Sequence, residues 1–484
     1  MTLSAALTAA SSGLRASSMG ARVVADNIAN AQTDGFGPRA LQLSAHVLGR
    51  DGVGVRVAGV TRSVDQQTID LLRDARSSAA GAETLSRFQS GLERLTGQPG
   101  DAAGLTARLD AFETSLRNAL AYPSSDLHLS AIARAGADLA QTIRETGIGI
   151  DRLRDDADAA IANDVRHLQS ELTEIARLQV QIVRAASVGH PTEALEDQRT
   201  ARIDAISEMM PVRDVRAPDG RLMLLGADGT VLADRQAAQI TFTRSVAPQA
   251  DETLASGDLS HIAINGRIVA AQSDLLATGR IGRHFAIRDD LTLQAREQID
   301  QLAHDLTVRM SDPAADPSLD GTGYGVYRLN GVAPWPNDIR GIANLISLDP
   351  RLTPDGGMQV WRLRDGMETG APNAPNQTSV LLSRLQSLRG ADQAMMIPTA
   401  LQNRSIGNLA QNLVAQVSQS RVLAEDRLTL ENGRLTAMKE VRAGQGVDRD
   451  AQLQILMGIE QSFAANARVI AAVDGLLRLL LEMR

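Results

Sequence analysis

The chain has 484 residues, enough for several domains with a sizeable buried core, and a formal net charge of -8 at pH 7. Aromatic residues make up only 2% and there is no block of basic residues, so neither a base-stacking platform nor a phosphate-binding surface is indicated, and no nucleic-acid partner is expected. Cysteine is absent, which excludes disulfides, thiolate catalysis and Cys-built zinc sites; no run reaches about 18 uninterrupted apolar residues and no cleaved leader is recognisable, so no membrane partner is expected.

Leu3, Leu7, Ala10, Leu14, Ser17, Ala21, Val24 and Ile28 step alternately by four and three, which predicts a helix with one seam turned to a partner. Shorter helical patterns follow through Leu85, Phe88, Leu92 and Leu95, then Leu105, Leu109, Phe112, Leu116 and Leu120. Over 129–186 a long stripe, including Ile132, Ile143, Ile161, Leu172 and Ile182, predicts a rod of roughly 85 Å if the helix is continuous. Pro191 and Pro211 bracket another short helix. Beyond Pro211 the period shortens: runs at 212–216, 221–225, 229–234, 239–243 and 261–269 are broken by Pro218-Asp219-Gly220, Ala227-Asp228-Gly229 and Asn265-Gly266, which are hairpin signals. Helical spacing resumes at Leu291, Ile299, Leu302, Leu306 and Met310. Half of the 16 prolines lie between Pro313 and Pro375, so this stretch reads as loop and short strand, and helix returns from about 379 to 441. The end mirrors the beginning, with Leu456, Ile459, Phe463, Asn466, Ile470, Val473, Leu477 and Leu480 again stepping by three and four.

The expected fold is mainly α with an inserted β domain: an elongated, nested, multi-domain rod whose terminal helices pair as a coiled coil. Residues 1–35 and 447–484 would form the stem, 36–210 and 286–446 the helical rod with its Pro/Gly-rich region at 311–377, and 211–285 a small β domain. The last helix is also apolar off its seam, at Leu453, Ile455, Met457, Val469, Leu476, Leu479 and Leu481, more than one partner helix can cover. That excess predicts an assembly surface, with Leu3, Leu7, Leu14, Val24 and Ile28 on the first helix and the final stripe as its seam.

No catalytic constellation is found, and no enzyme, cofactor or metal site is expected. The seven histidines never fall at i, i+4 spacing, and the single lysine, Lys439, lies outside any phosphate-loop pattern. Gly321, Gly323 and Gly325 are spaced too tightly for a dinucleotide fingerprint, and Asp155, Asp156 and Asp158 read as a solvated helical face.

Residues 26–36 read D-N-I-A-N-A-Q-T-D-G-F, which resembles the N-terminal signature of flagellar rod, hook and hook-associated axial proteins, N-N-x-A-N-x-x-T-x-G-[YF], through Asn27, Ala29, Asn30, Thr33, Gly35 and Phe36. The segment G-V-G-V-R-V-A-G-V-T-R-S-V-D at 52–65 and the closing Gly446-Val447-Asp448 with Ala465-Asn466-Ala467 are similar to the hook-associated protein 1 family. The chain departs from that pattern at Gly37-Pro38-Arg39 and at Arg449-Asp450-Ala451. The resemblance implies a structural adaptor joining hook to filament: a ring of identical subunits that meets the hook protein, a second hook-associated junction protein and a flagellar export chaperone. It also implies an extracellular place in the flagellum, reached by type III export without a cleaved signal peptide. A hook or rod subunit would share the terminal signatures but usually lacks so long a helical stripe, and a cytoplasmic coiled-coil scaffold would explain the heptads without the signatures.

Overall fold

The computed structural model describes the chain apart from residues 1–2, 34–35, 49–50, 64, 217–220, 246–251, 253, 255–256, 271, 322, 332–337, 391–404 and 483–484. Helix α1 (Leu3–Ala29) is followed by strands β1 (Arg39–Leu48) and β2 (Asp51–Arg62), then by α2 (Gln66–Thr96), α3 (Leu105–Ala121), α4 (Asp126–Ser187) and α5 (Glu193–Met209). Two small antiparallel sheets come next: β3 (Val212–Arg216), β4 (Leu222–Gly226) and β5 (Val231–Ala233) in one, β6 (Ile240–Thr241), β7 (Ala263–Ile264) and β8 (Arg267–Ile268) in the other. Helices α6 (Gly279–Ala286) and α7 (Thr292–Ser311) precede the paired strands β9 (Tyr327–Leu329) and β10 (Ile346–Leu348). The chain finishes with α8 (Arg362–Asp365), α9 (Ser379–Arg389), α10 (Ile406–Gly444) and α11 (Arg449–Glu482). The fold is mainly α with small β elements set into it, the class that the periodicities predict.

The 62 residues of α4 make one helix of roughly 93 Å at 1.5 Å per residue. Its apolar stripe explains why it persists: Leu139, Ile143, Ile150, Ile161, Leu168, Leu172 and Ile175 are all buried on one side. Gly189 and Pro191 follow its end, where neither residue favours another helical turn.

The chain divides into two compact units, residues 1–77, 168–238 and 432–484 in the first and 78–167 and 239–431 in the second. In the first, Arg73 is buried between two carboxylates, donating from Nε to Asp204 at 2.9 Å and from Nη1 to Asp214. Burial works against this guanidinium's charge, but Asp204 and Asp214 more than offset it and leave its pKa above the ordinary arginine value. Replacing Arg73 with an apolar residue would leave Asp204 to Arg76 alone and Asp214 to the Gln66 amide, each short of a cation it now shares.

The second unit holds the largest apolar core, which joins Phe112 and Leu116 of α3, Ile132 and Ile143 of α4, Ile299 and Leu306 of α7, Leu381 of α9 and Val417 of α10. A π-helical turn at Ile287–Leu291 links α6 to α7 and sets Arg288, fully buried, against Asp158 at 2.7 Å and over the rings of Phe285 and Phe242. Asp158 thus lies in the core, although the acidic run containing it reads as a solvated face. Arg384 and Asp316 form a second wholly buried pair at 2.6 Å.

The β1–β2 hairpin is the longest strand pairing, and helical periodicity gives no sign of it. Its register shifts between Gln42 and Leu43 and again between His46 and Val47, where β2 carries one extra residue each time. The 211–285 stretch supplies two separate sheets, with β3–β5 in the first unit and β6–β8 in the second. Asn265 and Gly266, at φ 51° and 78°, make the tight turn between β7 and β8, while Pro218-Asp219-Gly220 lies outside the described residues.

Candidate assembly surface at the paired termini

Helices α1 and α11 lie side by side and antiparallel, both within the first unit. Gly13 faces Asn466, Gly20 faces Ile459 and Asn27 bonds to Gln452, so the contacts run in seven-residue steps up one helix and down the other. The approach is close. A Cβ at position 13 would sit 2.6 Å from the Asn466 amide nitrogen, and one at position 20 would sit 3.0 Å from the Ile459 side chain. Glycine inside a helix costs about 1 kcal/mol relative to alanine, so these two residues weaken α1 alone and admit its partner.

The least exposed row of α11 is Gln452, Leu456, Ile459, Asn466, Ile470 and Val473, with Val473 buried and the others half-buried. Phe463 and Leu477, on the same heptad, remain exposed, and the Leu480 side chain lies outside the described residues. On α1, Val24 is buried, Leu3, Leu14 and Ile28 are half-buried and Leu7 is exposed. Gly13, Gly20 and Asn27 of α1 also meet α11, which apolar spacing does not reveal because these residues are glycine and asparagine.

A second partner covers another face of α1. The hairpin packs on it, with the Val55 amide donating to Ser12 Oγ at 3.1 Å. Gly54 presses onto the helix backbone; its φ of +125° and the 2.9 Å from an added Cβ to Ala9 Cα both require glycine. Between α1, α11 and the hairpin lies a cavity of about 690 Å³ lined by Gly13, Gly20, Leu41, Val55, Ile455 and Ile459.

Most of the signature residues gather where α1 ends and α11 begins, while Ala465, Asn466 and Ala467 lie midway along α11. Asn27, 1% exposed, accepts at Oδ1 from the Arg39 amide at 2.9 Å and donates from Nδ2 to the Arg39 carbonyl at 2.8 Å and to Gln452 Oε1 at 3.0 Å. Asn30 donates to the Asp26 carbonyl and accepts from Thr33, which closes the last turn of α1. Asp448 caps α11 by accepting from the amides of Asp450 and Ala451 at 2.9 and 3.1 Å. Phe36 lies beneath the Arg39 guanidinium at 4.9 Å. Gly446 bonds back to the Ala443 carbonyl, Val447 is half-buried, Ala29, Ala465 and Ala467 are exposed, and Gly35 lies outside the described residues. Sequence reasoning missed Gln452, Arg39 and the two glycines; the seven-residue spacing of Gly13, Gly20 and Asn27 was the available signal.

A further cavity of about 550 Å³ opens at this joint, lined by Phe36, Asp65, Arg76, Asp204, Arg442 and Gln445. Asp65 caps α2 and is held below the usual carboxylate range by its hydrogen bond from Thr68, and Gln445 ties the end of α10 to Thr68 at 3.0 Å. Burial lowers the Arg442 pKa. Among the described residues, no group of three or more His, Asp or Glu is placed to hold a metal, and no helix is long and apolar enough to cross a membrane.

Beyond the seam, α11 exposes Leu453, Ile455, Met457, Val469, Leu476, Leu479 and Leu481 along its length. A helix this apolar with one covered stripe presents a surface suited to further helices.

Residues 89–321 match the family described as the flagellar hook-associated protein FlgK helical domain. The chain is 27% identical over 219 residues to flagellar hook-associated protein 1 of Bacillus subtilis, covering 43% of each chain. It is 26% identical over 310 residues to flagellar hook-associated protein 1 of Salmonella typhimurium, covering 62% of this chain and 55% of that one. The solved flagellar hook junction protein FlgK from Burkholderia pseudomallei aligns with 54% of this chain and 47% of its own, at 17% identity and a TM-score of 0.46. The chain spans about half the length of the relatives it matches. Residues 89–321 are thus similar to the helical domain of the flagellar hook-associated protein FlgK, and the likeness read from the terminal motifs is joined by a likeness in the interior of the chain.

Proposed function

We propose that this chain is a structural subunit of the bacterial flagellum that joins hook to filament, exported through the flagellar type III channel and assembled as a ring of identical copies. The stem would be residues 1–35 with 447–484, and the row of apolar side chains that α11 leaves open carries the reading. Covering 1,000 Å² of such surface is worth roughly 25 kcal/mol gross, much of it offset by the cost of association and ordering. That is ample to complete helices that are marginal in isolation. Hook protein below and a second junction protein above are the partners this reading requires, and an export chaperone is the one it requires before secretion. The role is structural and calls for no catalytic group.

The test is a deletion strain. Loss of filaments with hooks retained and flagellin shed into the medium is the expected outcome. Filaments of normal number would overturn the reading, and loss of the hooks themselves would assign the chain to rod or hook instead.

A further inference from the structure

We infer that the side-chain amide of Asn27 fixes the register in which α11 lies against α1. At successive heptads α1 offers Ala6, Gly13, Gly20 and Asn27, and α11 offers Val473, Asn466, Ile459 and Gln452 in the opposite direction. A one-heptad slide moves the helices about 10.5 Å past each other. One direction seats Asn466 on Ala6, where a Cβ obstructs it as it would at Gly13. The other seats Val473 on Gly13, Asn466 on Gly20 and Ile459 on Asn27, and two glycines raise no steric objection to that.

Asn27 is what opposes it. In the observed register its Nδ2 donates both to Gln452 Oε1 and to the Arg39 carbonyl. After the slide the amide would face Ile459, an apolar side chain with no acceptor, at a position that is 1% exposed. A single polar pair in an otherwise tolerant seam is a known way to specify alignment: the slide keeps the bonds to Arg39 but leaves one N–H of the buried amide, and the Gln452 oxygen, without each other. The same amide holds both backbone groups of Arg39, where β1 begins, so α11 is aligned to the hairpin as well as to α1.

The chain contains no cysteine, so the register can be mapped in the full-length protein by introduced pairs. Ala6→Cys combined with Val473→Cys reports the observed register; Ala6→Cys with Leu477→Cys or Leu480→Cys reports a slide of one turn or one heptad. A disulfide needs Cα atoms within about 7 Å, so the pairs discriminate. With Asn27 intact, only the 473 pair is expected to close. In Asn27→Leu, closure at 477 or 480 relative to 473 is expected to rise at least tenfold, and Gln452→Leu, which leaves the bonds to Arg39 in place, should move it the same way. The exchanged pair Asn27→Gln with Gln452→Asn should restore closure at 473. If Gln452→Leu, with helix content unchanged, still closes only at 473, the connection from α10 sets the register and the inference is overturned.

Discussion

The phenol oxygen of Tyr327 is wholly buried beside Phe112 and Gly136, and it meets no acceptor. An unpaired buried hydroxyl is a cost to the fold, so Tyr327→Phe is expected to leave stability unchanged or raise it by about 1 kcal/mol, measured as a shift of the urea midpoint. His284 is a related case. Burial holds its pKa below the ordinary histidine value; Asp164 pulls the other way, and Arg280 and Arg87 add to the lowering. The unfolded chain therefore takes up a proton first, near pH 6.5, and the folded ring resists it. The contribution of this group is complete above about pH 6.5 and is lost as pH falls through its lowered folded value. Denaturation from pH 7.5 to 5 should show falling stability in the parent and a flatter profile in His284→Leu; parallel profiles would exclude this histidine as the cause. Neither residue was legible in advance, because a lone tyrosine or histidine in a sequence says nothing of whether its polar atom finds a partner.

Helices were legible in proportion to their length and to the size of the side chains they bury. The stripe of α4 contains many large aliphatic residues at regular spacing, and no other period fits it. The covered row of α11 was likewise visible through Leu456, Ile459, Ile470 and Val473. Its counterpart on α1 was not, since closeness there is achieved by leaving side chains out. The hairpin was legible and passed over: Leu41, Leu43, Ala45 and Val47 alternate with polar residues, as Val53, Val55 and Val57 do with Gly54 and Arg56, which is the period of a strand. Exposure along α11 also sets an expectation for dynamics. Among its described residues only Val473 is fully buried, so the amides of α11 in a verified monomer should exchange far faster than those in the middle of α4. Equal protection in the two helices would mean that α11 is already complete without neighbours.

For the whole molecule, the sequence disclosed the kind of fold and the likeness of its two ends to axial proteins, while the split of the β segments between two units had no local signal. Short strands such as Ile240–Thr241 and Ala263–Ile264 pair across more than twenty residues, and turn chemistry alone does not say which sheet a strand will join. At this scale the assembly reading predicts that Ile470→Asp or Leu477→Asp blocks incorporation into flagella. Circular dichroism and the melting of the interior should change little, because neither residue belongs to the large core of the second unit. A charged variant that still supported filament growth would remove α11 from the contact.

The bond between Asn27 and Gln452 joins residues 425 positions apart. Whatever route the polypeptide takes out of a ribosome or a secretion pore, the first helix emerges without its mate and must wait for nearly everything else to follow. Late closure of this kind is slow, since a very large loop has to be gathered before the contact forms. The interior can therefore settle while the two tails are still apart, and the newly made chain keeps two open tails until they find each other.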